Sequence, residues 1–169
     1  MKKLVLVASL AALLAPVAAG ASAPPQDEQW LQTSISGDRF EIRGGQIALQ
    51  RALSPQVRAL GQRLVKDHSK SLHDAIALAQ KYGIGVPPAA TPSEQWELNR
   101  IKNMPRSWFD GQYTALEIKD HNQDIEETGF EAREGRAYSI REDAKKELPM
   151  LNMHLKLSKK TVRAVSAST

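Results

Sequence analysis

The chain contains no cysteine in its 169 residues. That excludes disulfides, thiolate-bound zinc, iron–sulfur clusters and a cysteine nucleophile. Aromatic residues are scarce, three each of Trp, Tyr and Phe, too few for a surface that stacks nucleobases. The surplus of positive charge is small: +4 overall, of which Lys2 and Lys3 supply two charges. No nucleic-acid partner is expected from such a balance. A Gly-x-Ser-x-Gly elbow is missing, and Gly44-Gly45 precedes no Lys-Ser/Thr, which argues against a serine hydrolase and a phosphate-cradling loop. The apolar run over residues 4–14 falls short of the ~20 residues a spanning helix needs, so no transmembrane segment is expected in the mature chain. What is present, 41% hydrophobic and 25% charged residues, suits one domain with a substantial core.

Residues 1–23 have the three parts of a secretory signal peptide. Lys2 and Lys3 form the positive start, residues 4–14 the apolar stretch, and Pro16 with the small residues 18–23 the cleavage region. Cleavage after Ala19 or Ala21 fits the small-residue rule. The expectation is export to the periplasm, with outer-membrane association possible, and a single domain over residues 24–169.

Four long helices are expected in that domain. The first covers about residues 28–53, where Ser54-Pro55 stops it and opens the second. The second reaches Tyr82, with Gly83 as its C-cap. Val57, Leu60, Leu64, His68, Leu72, Ile76 and Ala79 repeat along it at helical steps. Residues 83–93 read as loop, followed by a short helix over about residues 94–103. The third long helix runs from about 105 to 131. The fourth runs from about 138 to 162, with a kink expected at Pro149, and residues 164–169 are expected to fray. Joined short–long–short, these describe an all-α four-helix bundle with one long crossover.

Ionisable residues on the apolar stripes carry any chemistry the chain has. Glu41 shares its face with Gly45, Ala48 and Ala52, whose small size invites close helix approach and turns Glu41 inward. His68 stands in the middle of the second stripe. Asp110, Tyr113, Glu117 and His121 occupy one arc of the third helix. His154 follows Leu151 on the fourth, with Glu147 two turns earlier. His73, among Lys66, Lys70 and Gln80, reads as solvated. Counting outward from the two short turns places Glu41, His68, Glu117, His121 and His154 at one level. Three imidazoles and two carboxylates there suit a divalent transition metal such as iron, zinc, manganese or copper. Asp67 and Asp110 are the expected partners orienting the imidazoles.

The chain also resembles a family of exported ferritin-like proteins known as domain of unknown function 4142, often labelled outer membrane proteins. The resemblance is carried by Glu41-Ile-Arg-Gly-Gly-Gln-Ile-Ala48, Ser54-Pro55-Gln-Val57 and Val65-Lys-Asp-His68, then by Phe109-Asp110-x-x-Tyr113, His121 and Leu148-Pro149-x-Leu151-x-x-His154. It implies a ferritin-like four-helix bundle and no particular reaction. The Glu-x-x-His pairs of iron-oxidising ferritin-like proteins are missing, since Val65, Lys70, Ile118 and Leu151 stand three before the histidines. Two readings stay open. One is a metal-binding or stress-related envelope protein with a central His/carboxylate site. The other is a non-catalytic structural or interaction module with a metal-free buried polar network, its envelope partner docking on the long connection over residues 83–106.

Overall fold

A computed structural model describes residues 22–166. The proposed leader lies outside the described residues except for its last two positions, and so do residues 167–169. Five helices account for the described chain: α1 (Pro25–Arg51), α2 (Pro55–Tyr82), α3 (Pro92–Asn103), α4 (Arg106–Glu134) and α5 (Tyr138–Ser166). There is no strand among the described residues. No described helix is long and apolar enough to cross a membrane.

Local chemistry sets the boundaries. α1 opens at Pro25, earlier than the periodicity alone suggests, with Asp27 and Glu28 in its first turn facing the positive helix end. The Ser54 hydroxyl caps α2 through the Gln56 N–H, and Gly83 ends it in the left-handed region at φ 66°. Thr91 and Glu94 form a reciprocal capping box on α3. α5 continues as one helix through Pro149 to Ser166, past the expected end at 162.

α1 and α2 form one antiparallel hairpin and α4 and α5 the other; α1 packs beside α4, and α2 beside α5. The connection over residues 83–105, with α3 inside it, carries the chain back along the bundle, so that Met104 meets Arg51. α4 therefore starts beside the α1–α2 turn, and the helices run up, down, down, up. This is the all-α bundle with one long crossover that the sequence implies.

Each hairpin turn is fastened by an acid from the other hairpin. Asp110 of α4 accepts the N–H groups of Leu53 at 3.1 Å and Ser54 at 2.6 Å. Asp27 of α1 accepts those of Arg136 at 2.8 Å and Ala137 at 3.3 Å. Both acids satisfy N–H groups that a turn would otherwise leave unpaired.

Two apolar clusters fill the ends of the bundle. One gathers Phe40, Ile47, Leu60, Leu64, Phe109 and Tyr113. The other gathers Leu31, Ile35, Ala75, Ala79, Ile140 and Ala144. In the first hairpin Gly45 lies against Gly61 so closely that a Cβ on Gly45 would sit 2.6 Å from the Gly61 carbonyl. Small residues thus bring the two backbones together beside Glu41, as its stripe predicts.

Candidate metal centre

The polar side chains sit near mid-height. His68 of α2, His121 of α4 and His154 of α5 are 2%, 0% and 0% exposed. Their ring centroids lie 5.7 Å (His68–His121), 5.1 Å (His68–His154) and 5.3 Å (His121–His154) apart. One nitrogen from each lies within 4.8 Å of those of the other two.

Every ring is held through one nitrogen and leaves the other unpartnered. His68 Nδ1 and Asp38 Oδ1 share a hydrogen bond of 2.8 Å. His121 Nδ1–H donates to the Glu117 carbonyl oxygen at 2.9 Å. His154 Nε2–H donates to Asp67 Oδ2 at 2.9 Å. A carbonyl can only accept, so the His121 tautomer is fixed, and its Nε2 carries the lone pair. The remaining nitrogens, His68 Nε2, His121 Nε2 and His154 Nδ1, are buried and have no hydrogen-bond partner among the described residues.

Electrostatics keep these lone pairs unprotonated. Burial pushes His68 and His154 down to about 4, and His68 adds to the effect on His154. Burial and then the two neighbouring imidazoles push His121 down to about 3. Imidazolium is disfavoured in a buried site that would have to hold three of them. Burial alone would raise the Asp67 carboxyl, but hydrogen bonds from Arg63 and His154 hold it below the ordinary range. It therefore meets His154 as a carboxylate.

Glu41 and Glu117, 0% and 1% exposed, stand beside His121 on its Nδ1 edge. Glu41 Oε1 is 3.8 Å and Glu117 Oε2 3.7 Å from that nitrogen. Burial raises both carboxyls, Glu41 further because of Glu117 and Asp120, and Glu117 reaches about 8. Both Glu41 oxygens and Glu117 Oε2 have no hydrogen-bond partner among the described residues. Tyr113, stacked on Phe109, belongs to the same neighbourhood: burial and then these two acids raise its phenol. The five proposed ligands thus divide into three histidines facing one another and two glutamates flanking one of them.

Over residues 12–161 the chain matches the family described as "Domain of unknown function (DUF4142)". It belongs to that family. No curated protein matches this DUF4142 chain significantly. Among solved structures, the crystal structure of a DUF305 fragment from Deinococcus radiodurans is similar, with a TM-score of 0.74 and 14% identity. The similarity covers 85% of this chain and 99% of that one, and at such identity it speaks for the fold alone.

Asp67 orients an imidazole as expected. Asp110 does not: it lies at the bundle end, fastening the α1–α2 turn. Periodicity put it on the right face of α4, but it stands eleven residues before His121, about 16 Å along the helix at ~1.5 Å per residue. The partner of His68 is instead Asp38, which sequence reasoning missed. Its signal was available, because Asp38, Glu41, Gly45, Ala48 and Ala52 follow one another at three- and four-residue steps. Glu147 accepts from the Ser71 hydroxyl at 2.7 Å, and His73 is exposed at the surface. Of the tryptophans, Trp30 is a buried anchor donating to Thr128 at 3.4 Å, whereas Trp96 and Trp108 are exposed.

Proposed function

We propose that this DUF4142 chain binds a divalent transition-metal ion through His68 Nε2, His121 Nε2 and His154 Nδ1. The observation carrying the reading is the pattern of use: three buried, neutral imidazoles, each fixed through one nitrogen, leave the other without a partner. A hydrogen-bonded network formed for its own sake would use those nitrogens, because an unmet buried acceptor costs about 1–3 kcal/mol. A carboxylate or carbonyl behind the ring is the arrangement that orients metal-binding histidines. Nitrogen donors suit zinc, copper or iron, and manganese is the weakest match. Metal–nitrogen bonds of about 2.0–2.1 Å place tetrahedral donors about 3.4 Å apart, so the rings draw inward by roughly an ångström on binding. Glu41 and Glu117 stand on the Nδ1 edge of His121, away from these nitrogens.

An exported, ferritin-like protein handling metal in the envelope, in housekeeping or under stress, is the setting that the leader-like residues 1–23 support. The test is elemental analysis of the chain purified without chelator or affinity tag, with His68→Ala and His121→Ala alongside. About one ion per chain in the parent and none in the variants is the expected result. An empty parent that also takes up no zinc, copper, iron or manganese refutes it, and the network is then structural.

A further inference from the structure

The three imidazoles are almost completely shielded, at 2%, 0% and 0% exposure, so an ion reaching them must pass through the protein. A cavity of about 30 Å³ lies against His68, lined by Asp38, Asp124, Glu127, Glu147 and Gly37. That volume holds one water or one small cation. Its wall also includes Thr33, an exposed residue, so the cavity reaches from the surface to the histidine layer.

The wall is acidic and short of counter-charge. Asp124 has Asp120, Glu127, Asp38 and Glu147 as its charged neighbours. Asp38 bridges the cavity and the imidazoles: it is 4% exposed, its Oδ1 holds His68, and its Oδ2 has no hydrogen-bond partner among the described residues. Burial, followed by the Asp38 charge, raises Glu147 to about 8. Carboxyl groups crowded in this way must hold protons or a cation. Hard oxygen donors around a small polar space suit a divalent cation.

We propose that this cavity is the loading site of the metal centre, where a divalent cation, its water replaced by carboxyl oxygens, is held among Asp38, Asp124 and Glu147 and passed to His68. The proposal rests on the three-histidine reading. The acids give up their protons in exchange for the ion, and Asp38 links the two places because it lines the cavity and bonds to His68.

The experiment follows Co²⁺ uptake by stopped-flow absorbance, with Co²⁺ content measured at the end. Four variants accompany the parent. Asp124→Asn/Glu147→Gln removes two ionisable carboxyls. Gly37→Met blocks the passage without touching an acid; a Cβ there meets nothing within 4 Å. Glu134→Gln neutralises an exposed acid elsewhere, and His68→Ala removes the destination. Uptake should slow about tenfold in the double variant and in Gly37→Met, with final Co²⁺ content unchanged, while Glu134→Gln loads like the parent. A parent that loads alongside double and Gly37→Met variants that load equally fast overturns the loading site and leaves the metal centre standing. Loss of final content in the double variant with Gly37→Met loading normally also overturns it, since the acids would then be permanent ligands. A parent that takes up no Co²⁺ overturns both readings.

Discussion

Replacing Asp38 with asparagine tests whether the bond behind His68 serves a metal. Both partners are buried, and among the described residues the 2.8 Å contact is the only hydrogen bond holding that ring. Asparagine keeps the shape and can still accept through its carbonyl, so the helix packing is preserved. Burial raises the Asp38 carboxyl in the metal-free fold, and a cation on His68 draws it into the ionised form; asparagine cannot follow, so the charge-assisted bond, about twice as strong as a neutral one, is lost. Metal-supporting carboxylates of this kind contribute about 10- to 100-fold in affinity, or about 1.4–2.7 kcal/mol. Full burial places Asp38→Asn toward the upper end. Asp67→Asn belongs toward the lower end, because the Asp67 side chain is 15% exposed and shared with Arg63. The assay is a competition titration of Zn²⁺ against a chromophoric chelator, with thermal unfolding of the metal-free proteins as a control. Unchanged Zn²⁺ affinity in Asp38→Asn, alongside full loss in His68→Ala, would refute the reasoning that Asp38 serves the ligand.

Four further outcomes are expected. In elemental analysis His121→Ala should carry no metal and His73→Ala a full complement. The metal-free chain should melt highest between about pH 4.5 and 6.5, with thermal unfolding in chelator as the measure. Glu117 and Glu147, raised to about 8 in the fold, contribute stability that is complete below their ordinary range and lost as pH rises through 8. His68 and His154, lowered to about 4, act oppositely, removing stability as pH falls from about 6.5 toward 4; a melting point rising steadily to pH 9 would contradict this. Gly45→Ala should cost about 1–3 kcal/mol in urea unfolding through the clash with Gly61, whereas Gly44→Ala, whose Cβ would meet neighbours at 3.7 Å, should be neutral or slightly stabilising. Asp110→Ala should cost about 1–3 kcal/mol by stranding the Leu53 and Ser54 N–H groups, with Zn²⁺ affinity unchanged.

The helices were legible because their signals are local. Ser54-Pro55 and Gly83 end and start elements through their own backbone chemistry, and the His68 stripe repeats over about six turns. The inward position of Glu41 was also legible, from the small residues on its face. Depth was harder to read than face. Asp110 shares a stripe with His121 and is still remote from it, while Asp38 shares one with Glu41 and meets His68. Counting from a turn gives level only to within about a helical turn, which is comparable to the difference between touching a ring and missing it. The split of the glutamates from the three facing nitrogens was illegible for another reason. It depends on which ring nitrogen points which way, and a backbone carbonyl at Glu117 decides that for His121.

The crossed fastening of the two turns makes the hairpins unequal to folding alone. The α1–α2 turn is completed only when α4 supplies Asp110, and the α4–α5 turn only when α1 supplies Asp27. Each half of the chain is thus the template for the other's corner. A polypeptide severed in the long connection would stay associated as two complementary fragments, and either fragment by itself would lack a finished end.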